Sequence, residues 1–347
     1  MPQAIADFFQ GEDVLVTGAS GFIGWHVAQK LAEAGAKVRV LVRPATVKKN
    51  PDLEAFRCHE GDLLVPETLD EAVRGCRYLF HVAGDYRFWA RDPREIFKGN
   101  IEGSRNILDA AHRRGVERIV STSTCGILGR NKDQSPADES TLANLGDMPG
   151  AYKRSKFDAY LATQKRADKG EPILSVLPTA PVGWRDFKPT PTGMVIVKFL
   201  NGGIPFLART GLNFEDVGRL AVGHLQAMMH GRIGERYLLG GKNLWLREFL
   251  QMLEPYTRHR TPRFYCPESV SRLAACAFEA FAHLTGNAPF VTRESVRMAR
   301  HPYFFTSAKA EKEIGYEVTG IEEALREAVR YFVQRGLVRQ TASLQPA

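Results

Sequence analysis

Val14-Leu15-Val16-Thr17-Gly18-Ala19-Ser20-Gly21-Phe22-Ile23-Gly24 is the stretch whose reading decides the fold. Val14 to Thr17 form a short apolar run. The run passes directly into glycines at 18, 21 and 24, then into a segment whose Ile23, Val27 and Leu31 recur at i, i+4 and i+8. That pattern is a strand, a tight turn and an amphipathic helix. Gly35 closes the helix, and the valine-rich residues 37–42 read as the next strand. Outward from this unit the alternation continues. Residues 56–59, 78–82, 119–122 and 173–177 read as strands, with helices near 66–73, 93–114 and 151–167. Strands alternating with helices imply a parallel sheet covered on both faces, so the predicted fold is α/β, a doubly wound parallel sheet. After Pro178 the character changes. Residues 178–206 are rich in Pro, Gly and aromatics; a helix is expected near 215–229, a strand near 237–239, and mostly helical sequence to 337. The expected division is a sheet domain over 1–178, rejoined by part of 214–240, a smaller, mostly helical substrate lobe over 179–340, and a disordered tail over 341–347.

Composition narrows the function. At 347 residues, 44% apolar and 25% charged, the chain can bury a large core without disulfides or metal. The net charge of +8 is spread out, and its densest cluster, residues 113–118, is interrupted at a helix end. Nucleic acid as a partner is therefore not expected; the charge suits solvated faces and an anionic cofactor or substrate. The five cysteines, at 58, 76, 125, 266 and 276, are odd in number and contain no CxxC pair, so neither a zinc site nor a disulfide framework is expected. A reducing, cytoplasmic location fits. No secretory pattern opens the chain and no run of 18 uncharged apolar residues is present, so no spanning segment is expected.

The glycines do chemical as well as steric work. Gly18 allows the turn, Gly21 lets backbone N–H groups approach a pyrophosphate, and Gly24 lets helix and strand pack closely, at the partly positive helix N-terminus. Because the triplet follows the first strand and opens a helix, it reads as a Rossmann dinucleotide site. The end of the second strand tells which dinucleotide. An acidic residue there would hold adenosine ribose hydroxyls, as in NAD binders. This chain has Arg43, with Lys48 and Lys49 beyond. The cation favours a 2′-phosphate, hence NADP(H), with NAD(H) still possible; Arg43 stacking on adenine or facing solvent is the alternative. Asp62, beside Leu63, is placed to bind the adenine amino group, and the 81–84 run ends the fourth strand near a ribose.

Tyr152 and Lys156 stand four apart on an expected helix and share one face. An ammonium nearby would lower the phenol's pKa, so that the tyrosine exchanges a proton with a substrate oxygen while nicotinamide carries hydride. Lys156 can also bind the nicotinamide ribose. A hydroxyl from the Ser121-Thr122-Ser123-Thr124 cluster, at the fifth strand's carboxyl end, can donate to the developing alkoxide. Cys125 has no adjacent activating His and reads as a small core residue.

Together these motifs resemble the extended short-chain dehydrogenase/reductase family, the NAD-dependent epimerase/dehydratase group, over nearly the whole chain. Asn100-Ile101-Glu102-Gly103 is similar to that family's Asn-x-x-Gly on the fourth helix. The family places its catalytic hydroxyl five residues before the glycine of a Tyr-Gly-like pair; Leu128-Gly129 fills that slot, which makes Thr124 the catalytic hydroxyl. The implied cofactor cradle comprises Gly18, Ser20, Gly21, Phe22, Ile23, Gly24, Arg43, Lys48, Asp62, Leu63, Val82, Ala83, Asn100, Thr122, Tyr152, Lys156 and Pro178. The resemblance also implies a homodimer through the helices near 93–114 and 151–167. Within the family, residues 81–93, 188–193, 210–213, 231–241 and 289–300 resemble the hopanoid-associated sugar epimerases; plant-type dihydroflavonol reductases are the next nearest. Sugar-nucleotide epimerases, however, carry an acidic residue where Arg43 stands, and an Arg-Asp pair where this chain has Leu212-Asn213-Phe214-Glu215.

On the substrate side, Tyr86, Phe88 and Trp89 after the fourth strand and Trp184 after the sixth suit an apolar or mixed small molecule, or else a packed loop core. Arg185, Lys188 and Arg209 read as solvated charges rather than phosphate ligands. Val270, Leu273, Ala274, Ala277, Phe278, Phe281 and Leu284 fall at helical spacing. The preferred reading is an amphipathic helix packed on the C-terminal lobe; a lid or a peripheral membrane contact is the other. Three functions follow: an NADP(H)-dependent dehydrogenase/reductase at a secondary alcohol or ketone, a nucleotide-sugar epimerase with retained NAD, and a non-catalytic dinucleotide sensor. The Tyr/Lys/Thr set favours the first and speaks against the last.

Overall fold

The computed structural model describes residues 2–339 apart from 45, 88, 132, 134, 145, 147, 149, 286–288 and 290, without the side chains of 48, 49 and 283. The tail beyond 339, Phe88 and the side chain of Lys48 therefore lie outside the described residues. Strands β1 (Asp13–Thr17), β2 (Lys37–Val42), β3 (Arg57–Glu60), β4 (Tyr78–His81), β5 (Arg118–Thr122), β6 (Ile173–Pro178), β7 (Ala180–Val182), β8 (Gly211–Asp216), β9 (Arg236–Leu239) and β10 (Lys242–Trp245) form two sheets. The larger has seven strands in the order β3-β2-β1-β4-β5-β6-β9, with every pairing parallel. The seven expected strands are these seven, with ends that differ by a residue or two.

Helices cover both faces. One layer buries Ile5 and Phe9 of Gln3–Phe9, Val27 and Leu31 of Phe22–Glu33, and Leu220 and Leu225 of Val217–His230 against Val14, Val16 and Phe80. The other sets Ile107 and Leu108 of Gly103–Arg113 and Leu69 of Leu69–Val73 against Leu15, Leu79 and Ile119. The alternation of the buried strand residues between faces is the period of two expected of a strand. Chain direction diverges between β1 and β4: β2 and β3 lie to one side, β5, β6 and β9 to the other. In open α/β sheets ligands bind at such a switch point, outside the strands' carboxyl ends.

The smaller sheet, β10-β8-β7, was not expected. β8 reads Gly-Leu-Asn-Phe-Glu-Asp, whose Asn, Asp and Gly are poor strand formers, and it exists because β7 and β10 pair with it from both sides. The helix expected near 215–229 therefore starts later, at Val217. Glu215 belongs to β8, and Asp216 caps the helix by accepting from the Gly218 N–H at 2.6 Å. This sheet packs with Pro191–Leu200, Leu246–Leu253 and Glu322–Gln334 around Phe199, Phe214, Phe249 and Phe332.

Two surface expectations are corrected. Arg185 is not solvated: it is 0% exposed at a positive φ of 67°, whereas Lys188 and Arg209 are exposed. Its guanidinium donates to Asp52 at 2.9 Å and to Asn50 at 2.8 Å, and lies 4.5 Å over the Trp25 ring. The side of Glu268–Thr285 turned to the protein is not the large apolar one; Val270, Leu273, Phe281 and Leu284 are exposed, and Ala275 and Ala282 are buried.

Candidate active site

A parallel sheet brings all its carboxyl ends to one edge, so residues far apart in sequence meet there. At the end of β1, Gly18 has a φ of +78°, and a Cβ on it would come within 2.6 Å of the Ala83 nitrogen. The turn can thus lie against the end of β4 only as glycine. Thr17 Oγ1 accepts from the Ala83 N–H at 3.2 Å and lies 2.8 Å from His81 Nδ1, while His81 Nε2 lies 2.9 Å from Ser104 Oγ. Burial lowers His81 to about 3, so the ring is a neutral link joining β1, β4 and the helix behind them. No side chain caps Phe22–Glu33 at Gly21, and its leading N–H groups are left for an anion.

Around this turn, Arg43 follows β2 and is exposed; its carbonyl accepts from the Thr46 N–H at 3.0 Å, and its guanidinium has no hydrogen bond or ion pair among the described residues. Asp62 follows β3 and uses one carboxylate oxygen to accept from the Leu64 N–H at 2.9 Å; the Leu63 carbonyl accepts from Asn106 at 2.8 Å. Pro178 closes β6 beside Leu239 of β9. The uncapped helix, the close-packed glycine and the unengaged cation fit a dinucleotide carrying a pyrophosphate.

The helix Arg94–Phe97 widens into one π-helical turn, Lys98–Glu102, before continuing as Gly103–Arg113. Asn100 sits in that turn, where a local bulge re-aims a side chain. Its Oδ1 accepts from the Asp85 N–H at 2.7 Å, and its Nδ2 donates to the Asp85 carbonyl at 3.0 Å and to Ser155 Oγ at 2.9 Å. Ser155 in turn donates to the Tyr152 carbonyl at 2.8 Å. Asn100 thereby fixes the loop after β4 against the helix Gly150–Ala167, which carries Tyr152 and Lys156.

Thr124 follows β5, caps a short turn by accepting from the Gly126 N–H at 3.1 Å, and shares a hydrogen bond with the Tyr152 hydroxyl. Lys156 Nζ donates to the Thr122 carbonyl at 3.3 Å and rests against Gly84, where a Cβ would lie 3.0 Å from it. Burial lowers Lys156 to about 8. It also raises Tyr152 to about 12, opposite in direction to the lowering expected from the sequence, because desolvation of the phenolate outweighs the stabilising hydrogen bond from Thr124. Thr122 meets the lysine through its carbonyl. Its hydroxyl lies 3.2 Å from His224 Nε2, and His224 Nδ1 donates to the Leu220 carbonyl at 2.8 Å. The Ser123 hydroxyl is buried with no partner among the described residues. Burial raises the Cys125 thiol to about 12, so no thiolate forms there.

A cavity of about 300 Å³ opens beside the start of this helix, lined by Trp89, Ala90, Ile96, Glu279, Glu294 and Arg297 among others. Of the four expected aromatics, Phe88 lies outside the described residues and Trp89 faces the cavity. Tyr86 is exposed, its hydroxyl 3.4 Å from the Lys188 carbonyl. Trp184 lies elsewhere, in a ring cluster with Trp25 at 5.2 Å and Tyr331 at 5.7 Å, and its carbonyl accepts from His26 Nε2 at 2.8 Å. Glu294 was missed by sequence reasoning. A Cβ at Gly150 would overlap its carboxylate, which accepts from the Lys153 main-chain N–H, while its Oε1 is buried without a partner among the described residues. Burial raises it to about 7. Its one sequence signal is the Thr292-x-x-Ser295 capping box on the helix Arg293–Met298, which shows where a helix starts and nothing of what it faces.

The fold and the site define a dinucleotide-binding enzyme of the Rossmann type. Residues 14–240 match the NAD dependent epimerase/dehydratase family, and the chain belongs to it. It is 35% identical over 97% of its length to a Synechocystis sp. protein described as "Putative dihydroflavonol 4-reductase", 97% of which is covered. It is 29% identical over 93% of its length to sterol demethylase protein B of Methylococcus capsulatus, covering 99% of that protein. Among solved structures, gox2253 superposes with a TM-score of 0.84 at 38% identity, over 95% of this chain and all (100%) of that one. The UDP-glucose 4-epimerase of Thermotoga maritima shares the fold at a TM-score of 0.74 and 21% identity, over 93% and 99% of the two chains. The protein is accordingly an NAD(P)-dependent reductase or epimerase of this family.

Proposed function

We propose that the protein is an NADP(H)-preferring dehydrogenase/reductase that interconverts a secondary alcohol and a ketone. The observation that carries this is the hydrogen bond between Thr124 and Tyr152 at the carboxyl end of β5, with Lys156 one turn further along the same helix. When bound, the nicotinamide supplies or accepts the hydride. Tyr152, protonated at neutral pH, donates its proton to the oxygen that becomes the alcohol. Thr124 donates a hydrogen bond to the same oxygen, and Lys156 holds a ribose and keeps positive charge near the phenol. Arg43, at the end of β2 where NAD binders carry an acid, supports the phosphate-bearing cofactor, and the sequence holds a second cation, Lys48, in the segment that follows. Reductase names among the relatives at 30–35% identity, against sugar epimerases at 21–23%, support net reduction over epimerisation.

The mixed lining of the cavity supports a largely apolar substrate with one polar group opposite Glu294, with Trp89 as a wall. The preferred assignment is a sheet domain of 1–178 with 214–240 and a substrate lobe of 179–340. A homodimer joined through the helices near 93–114 and 151–167 follows from the resemblance, and a cytoplasmic location from the odd, CxxC-free set of cysteines. The test is consumption of NADPH, followed in the near ultraviolet, across sugar nucleotides, sterol-like ketones and aryl ketones. Tyr152→Phe is expected to slow turnover by about 10²–10⁴ while NADPH binding is retained. Copurifying NAD with no net redox change would point to a nucleotide-sugar epimerase instead.

A further inference from the structure

The helix Glu268–Thr285 has its large apolar residues on the outside. At about 100° per residue, Val270, Leu273, Ala277, Phe281 and Leu284 fall within an arc of about 80° and form one stripe. Leu273 is 74% exposed, Phe281 63% and Leu284 85%. The buried residues, Ala275 and Ala282, lie on the opposite side and are small. A helix that served packing alone would turn the leucines and phenylalanine inward. Further large apolar residues are exposed in the segment before the helix. Phe264 is 74% exposed, and Phe206 and Tyr265 are exposed beside it, because main-chain bonds of Leu207 to Phe264 (3.0 Å) and to Cys266 (2.9 Å) hold the two segments together. An exposed apolar patch this extended marks an interaction surface.

Charge narrows what the surface meets. Between residues 255 and 278 the chain carries Arg258, Arg260, Arg263 and Arg272 and a single carboxylate, Glu268. The four arginines are exposed. Glu268 pairs with Arg272 at 3.4 Å and Arg300 at 2.7 Å, and Arg260 pairs with Glu254 at 3.0 Å; Arg258 and Arg263 have no ion pair among the described residues. A second copy of this chain docked by two-fold symmetry would set this basic rim against itself. An anionic bilayer satisfies both features, taking the apolar stripe into its interface and the arginines onto its headgroups. No described helix is long and apolar enough to cross a membrane, so the contact is with one surface.

We propose that Glu268–Thr285, with Phe206 and Phe264, is a peripheral docking face for anionic lipid membranes. The inward side of the same helix carries Glu279, which accepts from the Arg293 N–H at 2.7 Å and lines the cavity beside Glu294. Docking therefore sets the wall of that cavity at the lipid surface; this last step rests on the reductase reading, whereas the docking does not.

The experiment is co-sedimentation of the whole protein with phosphatidylcholine vesicles, with and without about one third phosphatidylglycerol. Binding is expected to the anionic vesicles and to weaken about tenfold on the neutral ones or in molar salt. Leu273→Ser/Phe281→Ser/Leu284→Ser should weaken it at least about tenfold, as should Arg258→Glu/Arg263→Glu, with NADPH binding and circular dichroism unchanged. Protein that stays in the supernatant with anionic vesicles overturns the proposal. So does vesicle binding indifferent to both variants, or a serine triple variant whose main effect is to dissociate a dimer in sedimentation velocity. Failure here leaves ketone reduction untouched, so the two readings fall separately.

Discussion

Glu294 is the most informative residue to perturb, because its burial makes a quantitative statement about pH. Its carboxyl stands at about 7 rather than 4.5, chiefly through burial; Lys153 and Arg297 oppose the shift and Glu279 adds to it. A carboxyl raised in the fold binds its proton more tightly there than in the unfolded chain. Stability is then full below about pH 4.5 and falls as pH rises towards 7. At about 1.4 kcal/mol per pH unit the loss is about 3 kcal/mol by pH 8. For a chain of this length, that corresponds to about 4 °C in melting temperature. Glu294→Gln keeps an acceptor for the Lys153 N–H and removes the charge. Thermal unfolding of both proteins between pH 5 and 8.5 should give equal melting temperatures at pH 5, with the variant about 4 °C higher at pH 8. Asp186, also raised by burial, to about 6, slopes in the same direction but does so in both proteins and cancels in the difference. A difference that stays constant across this range would refute the reasoning. A second readout follows substrate: if Oε1 meets a polar group of the substrate, the variant should raise KM about tenfold with little change in kcat.

Two further outcomes are expected. Arg43→Asp should weaken NADPH about tenfold or more relative to NADH, measured by tryptophan fluorescence titration; equal loss for both cofactors would remove the 2′-phosphate role. Arg185→Met should destabilise the fold by about 2 kcal/mol in urea unfolding, because Asn50 Oδ1, in a residue only 3% exposed, loses its donor while the half-exposed Asp52 regains water. Met, like Arg, carries a Cβ and leaves the positive φ as it is, so an unchanged midpoint would refute a stabilising role for these bonds.

Much of the sheet was legible because its signals are local. The inner strands carry short apolar runs such as Val14 to Val16 and Tyr78 to Phe80, as burial on both faces requires, whereas the edge strand β3 is Arg-Cys-His-Glu; the glycine turn announces itself by spacing. The Tyr152–Lys156 pair was legible for the same reason: four residues along a helix is a fixed geometry, wherever the helix goes. The direction of the Tyr152 shift was not legible, since it depends on how much water the surrounding chain excludes. β8 was invisible because its strand character comes from β7 and β10 rather than from its own residues. Arg185 read as a surface charge until Asp52, Asn50 and Trp25 arrived from the far end of the sheet to enclose it.

By itself, then, the sequence determined the periodic elements, the glycine turn and the placing of Tyr152 and Lys156 on one helix face, all of which are set by spacing within one segment. Only the tertiary structure decided that Glu294 stands at the cavity, that Trp184 does not, and that the apolar side of Glu268–Thr285 faces outward. An amphipathic pattern tells which residues share a face, but which face meets the protein depends on what packs against it, and that is a property of the whole fold.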